Sequence, residues 1–258
     1  MTTDSLRTRM LRGDILSGTF VKTPSHDIIE VMALSGLDYV TIDTEHAPFD
    51  RGRLDACLAV ARALNFPVLV RVPVGDREEI LKVLDSGATG VVVPHVDTVD
   101  KAKQVAQWAR FGHGGRGFAG STRWAGYATR KMPEILAQSE QETIVVVQIE
   151  EPEAVDVCED IASVNGVDGL FVGPADLAVC YGVTDINDKL VRDAISKVGK
   201  AVSNNDCCSI TFAPNTSSAA ELNKLGVTMF HIASEHGFAM AGAKQVADAL
   251  KDMAGKIK

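Results

Sequence analysis

Eight short apolar runs, separated by stretches with helical spacing, constrain this chain more than any other feature. They are Leu16–Val21, Tyr39–Asp43, Val68–Val72, Gly90–Pro94, Ile144–Glu150, Gly169–Val172, Ser209–Phe212 and Met229–Ala233. The runs are continuously apolar, as parallel strands covered on both faces must be. The stretches between them carry helix signals. Asp76 and Glu79 form a D-x-x-E start that can satisfy early N–H groups, Ile80, Val83 and Leu84 make one apolar face, and Gly87 supplies a left-handed stop. Val99, Ala102, Ala106 and Ala109 line one side of the helix after Pro94, while Gly36, Gly166 and Gly226 each stand just before a strand. Eight strands, each followed by a helix, specify an α/β chain folded as one (β/α)8 TIM barrel over residues 1–258. An open doubly wound sheet is the alternative. It places a Gly-rich turn after its first strand, where this chain has Lys22-Thr23-Pro24-Ser25.

Two stretches depart from the repeat. The interval from Pro94 to Ile144 is too long for one helix and carries the Gly112–Gly120 loop. That loop follows a helix and lacks the phosphate-binding P-loop spacing, so a flap over the barrel mouth, with Arg116 and Arg123 nearby, fits it better. The other is Phe238–Lys258, an Ala-rich helix beyond the eighth strand.

The formal charge of −8 argues against nucleic acid or an anionic membrane as partner. The five cysteines show no C-x-x-C spacing and read as a buried, reduced set. With no secretory pattern in Met1–Asp14 and no apolar run near the roughly 20 residues of a membrane span, a soluble cytoplasmic protein is expected.

Barrel active sites form at the C-terminal ends of the strands. There this sequence offers Asp43-Thr44-Glu45-His46, Arg71, His95, Gln148-Ile149-Glu150 and Gly173-Pro174-Ala175-Asp176. Glu150 and Asp176, on neighbouring strand ends without a nearby cysteine, suit a hard cation such as Mg²⁺ or Mn²⁺. Helix capping is the competing use for either acid. Arg71 ends an apolar strand, so its charge is either paired in the mouth or offered to an oxyanion. His46 can be a general base or a structural histidine.

Taken in order, Asp43-Thr44-Glu45-His46-Ala47, Arg71-Val72-Pro73, Leu84-Asp85-Ser86-Gly87-Ala88, Arg116-Gly117, Gln148-Ile149-Glu150 and Gly169-Leu170-Phe171-Val172-Gly173-Pro174-Ala175-Asp176-Leu177 resemble the HpcH/HpaI family of class II pyruvate aldolases, from about Gly18 to Ala249. The resemblance implies reversible cleavage of 4-hydroxy-2-oxo acids to pyruvate and an aldehyde through a metal-stabilised pyruvate enolate. It implies a divalent metal (Mg²⁺, Mn²⁺ or Co²⁺) on Glu150 and Asp176, His46 as base, Arg71 as oxyanion stabiliser, and Asp85 as the acid that raises the basicity of the histidine. Gln148, Ala175 and Asp176 match substrate-binding positions. It further implies a last helix exchanged between subunits of a homo-hexamer. Asp85, at a helix end before the fourth strand, is expected on the far side of the barrel from His46. His95, Ser121–Trp124 and Ala178–Asp185 depart from the family pattern and are expected to shape the aldehyde half of the pocket. Rival readings are a Schiff-base aldolase, for which Lys22 alone lies just past a strand, a citrate-lyase-type CoA-thioester lyase, and a non-catalytic oxo-acid-binding barrel.

Overall fold

The structure, a computed structural model, describes residues 4–256, so the last two residues of the expected terminal helix lie outside the described residues. Eight strands pair in sequence order, all parallel, into a closed barrel. They are β1 (Leu16–Val21), β2 (Tyr39–Asp43), β3 (Val68–Arg71), β4 (Gly90–Val93), β5 (Ile144–Ile149), β6 (Gly169–Val172), β7 (Cys208–Ala213) and β8 (Met229–Ser234). Each matches an apolar run to within two residues at either end. The helices are α1 (Leu6–Leu11), α2 (His26–Leu34), α3 (Arg51–Ala63), α4 (Arg77–Ser86), α5 (Val99–Ala109), α6 (Met132–Glu142), α7 (Pro152–Asp156), α8 (Cys158–Ala162), α9 (Pro174–Cys180), α10 (Lys189–Ser203), α11 (Thr216–Asn223) and α12 (Glu235–Lys256). The sequence signals sit where they should: Asp76 caps α4 by accepting from the Glu79 N–H, and Gly87 ends it at φ 113°.

Side-chain alternation divides the core in two. On β2 and β3, Val40, Ile42, Val68 and Val70 face the helices, where they join Ile29, Leu58, Ile80 and Leu84. Tyr39 and Leu69 instead face the barrel interior with Leu16, Phe20, Ile144, Val146, Phe171, Ile210 and Met229. The apolar runs look continuous because both of these environments exclude water. The inward positions then change character near the mouth. Along β5 the series runs Ile144, Val146, Gln148 and then Glu150, apolar below and polar above.

The N-terminal helix was not among the elements expected from the sequence. Leu6 and Met10, one turn apart on α1, are buried in the interior cluster, and α1 lies across the end of the barrel where the strands begin. Its signal is short: Ser5 accepts from the Thr8 N–H and only one turn and a half follows. Asp168, buried just before β6, ties this end together. Its Oδ1 accepts from Arg7 Nε at 2.9 Å and Nη2 at 2.6 Å, and its Oδ2 accepts from the Val145 N–H at 2.8 Å and Arg110 Nη2 at 3.3 Å. Replacing it by alanine leaves two guanidinium groups without their shared carboxylate. Asp168→Ala is expected to cost roughly 2–4 kcal/mol of unfolding free energy, somewhat below the roughly 3–5 kcal/mol of a broken, fully buried pair because Arg7 is partly exposed; chemical denaturation measures it.

Candidate active site

The alternation that fills the barrel also builds its mouth. Asp43 is the inward residue at the top of β2 and is fully buried. Its Oδ1 accepts from Arg71 Nε at 3.0 Å and from the N–H groups of Glu45 at 3.2 Å and His46 at 3.1 Å, while Oδ2 accepts from Arg71 Nη2 at 2.7 Å. Burial by itself would raise the Asp43 pKa, but the Arg71 hydrogen bonds and charge outweigh it and hold the group below the usual carboxylate range. One carboxylate therefore fixes the Arg71 fork and the turn that presents His46. The Arg71 guanidinium also lies 4.7 Å over the Phe20 ring, which stacks at 4.5 Å on His231 beneath it. Burial, helped by the nearby Arg71 charge, pushes the His231 pKa down to about 3, so that ring is a neutral floor bonded to Thr41 Oγ1 at 2.6 Å.

Across the mouth, Glu150 is 3% exposed at the end of β5. Its Oε1 accepts from the His95 N–H at 2.7 Å and its Oε2 accepts from Gln148 Nε2. His95 holds this position at φ 55°, in the left-handed region, a conformation that costs a non-glycine residue about 1–3 kcal/mol. Desolvation raises the Glu150 pKa above the ordinary value despite the His95 contacts, and the neighbouring Asp176 charge adds to the rise. Gly173 lies between the two acids. A Cβ at Gly173 would meet Asp176 Oδ2 at 3.2 Å and Glu150 Oε2 at 3.3 Å. The missing side chain thus leaves a small space flanked by two carboxylate oxygens. Gln148 Oε1 is buried close by without a hydrogen-bond partner. Hard oxygen donors around a gap, with the solvated Asp176 on one side, fit a divalent cation that keeps several waters. His95 Nδ1 adds a nitrogen 3.0 Å from Glu150 Oε1 and 2.7 Å from Glu151 Oε1.

A cavity of about 580 Å³ opens above these groups, lined by His46, Arg71, Gln148, Ala175 and Asp176 together with Lys22. Six of the seven site residues expected from the sequence therefore converge: His46, Arg71, Gln148, Glu150, Ala175 and Asp176. Asp85 does not. It ends α4, which runs away from the mouth, and there accepts from Arg116 Nε at 3.0 Å. The coupling of Asp85 to His46 is therefore not a contact within this chain. A larger groove of about 730 Å³ lies outside the barrel between α5 and α8, away from all of these residues.

Two expectations are corrected here. The Gly112–Gly120 loop is not a flap over the mouth of its own barrel. Arg116, with no exposed side-chain surface, lies 4.5 Å over Phe111 and 4.9 Å over Trp124, and the Trp124 N–H donates to the Asp85 carbonyl at 3.3 Å. Arg123 is held outside as well, by Asp55 and the Ser86 carbonyl, so neither arginine reaches the aldehyde half of this pocket. The cysteines are free, but they are not uniformly buried: Cys180, at the end of α9, is exposed. Sequence reasoning sets Asp43 among the residues of the mouth and Lys22 just past a strand without giving Asp43 a task; strand alternation, continued from Tyr39 and from Phe20, turns both inward.

A closed (β/α)8 barrel with paired acids, a guanidinium and an imidazole at its mouth has the form of a carbon–carbon lyase of the aldolase type. The chain belongs to the HpcH/HpaI aldolase/citrate lyase family, whose model matches residues 16–241. It is 30% identical over 251 residues to a hydroxypyruvate/pyruvate aldolase of Paraburkholderia phytofirmans, covering 94% of this chain and 96% of that one. A 5-keto-4-deoxy-D-glucarate aldolase of Klebsiella pneumoniae is 33% identical over 224 residues, covering 86% and 87%. The crystal structure of an HpcH/HpaI aldolase/citrate lyase family protein from Burkholderia cenocepacia superposes with a TM-score of 0.90 at 30% identity, over 96% of this chain and 100% of that one.

The raised Glu150 pKa has a consequence for stability. A carboxyl whose folded pKa lies above its unfolded value favours the fold while protonated, and that contribution is lost as pH rises through the folded value. At neutral pH the buried carboxylate is therefore a burden on the metal-free protein. Glu150→Gln is expected to raise the thermal midpoint at neutral pH, which thermal scans in the presence of chelator check.

Proposed function

We propose that this chain is a divalent-metal-dependent aldolase that reversibly cleaves 4-hydroxy-2-oxo acids to pyruvate and an aldehyde. The observation that carries this reading is the gap at Gly173, flanked by Glu150 Oε2 and Asp176 Oδ2, in the same mouth as the Arg71 fork. The metal, held by Glu150 and Asp176, supplies Lewis-acid polarisation of the 2-oxo acid when bound.

The chain's own groups account for the rest. Pro174 opens α9 without an N–H, and the N–H groups of Ala175 and Asp176 in its first turn have no intrahelical partner, so they can bind the substrate carboxylate. Gln148, tethered through its amide nitrogen to Glu150, limits how the oxo acid can lie. His46 takes the proton of the C4 hydroxyl. The C3–C4 bond then breaks, the aldehyde leaves, and the electron pair becomes a pyruvate enolate. Arg71, fixed by Asp43, stabilises the developing oxyanion without reorienting. Protonation at C3 completes pyruvate, and the reverse sequence is aldol addition. Mg²⁺, Mn²⁺ and Co²⁺ are the expected ions. Five free thiols suit a reducing compartment, so the cytoplasm is the proposed location; among the described residues no helix is long and apolar enough to cross a membrane.

The terminal helix supports assembly with further copies of the chain. Val246, Leu250 and Met253 recur at spacings of four and three on α12 and are 61%, 59% and 58% exposed. Such a stripe on a helix whose residues are all exposed from Phe238 to Met253 suits a neighbouring subunit. A hexamer built from helix-exchanged pairs is the proposed state.

Three outcomes follow. Pyruvate release from 4-hydroxy-2-oxo acids should stop with chelator and with the Glu150→Ala/Asp176→Ala variant, and should be indifferent to borohydride trapping; full activity of the double variant in chelator would sink the proposal. Arg71→Ala should lose roughly 2–4 kcal/mol of transition-state stabilisation, as for a lost oxyanion donor, seen mainly in kcat with metal affinity nearly kept. Val246→Glu/Leu250→Glu should reduce the particle mass measured by light scattering, whereas an unchanged mass would rule out this face as an interface.

A further inference from the structure

We propose that Lys22 is a specificity-determining residue that selects aldehydes carrying a carboxylate at their far end. The proposal rests on the aldolase reading above and deepens it. Leu16 and Phe20 face the barrel interior, and the two-residue alternation of β1 carries the next inward position, one residue beyond the strand, to Lys22 at the rim. There it lines the 580 Å³ cavity with His46, Arg71 and Asp176. Strands β1 and β5 stand opposite one another in a closed ring of eight. A substrate whose pyruvate half is anchored beside Glu150 and Asp176 therefore extends its other end toward β1 and β8. Ile186, Phe212 and Pro214 give the intervening wall an apolar surface suited to the carbon chain.

The ammonium is positioned and available. Glu235, buried at the start of α12, accepts the N–H of Lys22 at 2.7 Å and of Thr23 at 2.6 Å, which fixes the turn that bears the side chain. Among the described residues Asp43 is the only ion-pair partner of Lys22, with Nζ 3.4 Å from Oδ2, and no group accepts a hydrogen bond from Nζ. Asp43 is already engaged by both arms of Arg71 and two N–H groups. Arg71 gives Nε and one Nη2 donor to Asp43, and its remaining donors serve the oxyanion at the reacting end, which leaves Lys22 as the permanent charge for the far end of the substrate. A carboxylate arriving at the rim gains a charge-assisted hydrogen bond there that an uncharged aldehyde does not.

The test is aldol addition of pyruvate in saturating Mn²⁺ with two acceptors matched in length, 4-oxobutanoate and butanal. The full-length wild type should favour the anionic acceptor in kcat/KM, and Lys22→Met should lower that preference by at least about fivefold, the scale of a partly exposed ion pair. Lys22→Arg should keep most of it. In the wild type, KCl at about 0.5 M should erode the preference by screening, a measurement that needs no variant. Equal losses with both acceptors in Lys22→Met, or a preference indifferent to salt, would overturn the proposal and leave Lys22 as a partner of Asp43 alone. Turnover with neither acceptor in the wild type would overturn the aldolase reading itself, and this proposal with it.

Discussion

Everything at the mouth of this barrel depends on the strict two-residue alternation of a strand whose ring is closed. Once Tyr39 faces inward, Thr41 and Asp43 must follow, and once Leu69 does, so must Arg71. Strand pairing places Asp43 directly beside Arg71 in the register, so their fork is a product of the hydrogen-bond ladder rather than of a flexible loop. Slipping one strand by a single residue would turn valines inward and charges out among the helices, at a cost no local contact could offset. The site is therefore as rigid as the core beneath it.

That rigidity explains why so much was legible in the sequence. The eight strands, the caps of α4 and the convergence of His46, Arg71, Gln148, Glu150 and Asp176 follow from periodicity and from the direction of the chain, both of which are local properties. Asp43 was legible as a residue of the mouth, because alternation from Tyr39 turns it inward, but its role was not, because that role lies in four hydrogen bonds received from other residues. The Gly112–Gly120 loop was misplaced for a related reason. A glycine-rich, basic stretch suggests mobility, yet Arg116 is pinned by two aromatic faces and by Asp85, partners brought together by the packing of separate segments. Helix α1 was missed because six residues give periodicity almost nothing to measure, whereas its burial depends on a hole that exists only after the barrel closes.

The two sides of the mouth are electrostatic opposites. Beside β2 and β3, each charge meets its complement and burial is compensated. Beside β5 and β6, Glu150 is desolvated next to another acid, and a left-handed His95 supplies part of the compensation through its backbone N–H. Stability has been conceded on the side where the gap at Gly173 lies, and preserved on the side of the Arg71 fork. Such local cost within an otherwise satisfied core is what separates a binding site from mere packing.

Helix α1 carries an implication for traffic. With Leu6 and Met10 set into one end of the barrel and the interior filled above them, the cavity lies at the other end, where the strands finish. In the proposed aldolase reading, a fragment held beside Glu150 and Asp176 therefore has the filled barrel behind it and its partner fragment between it and the rim.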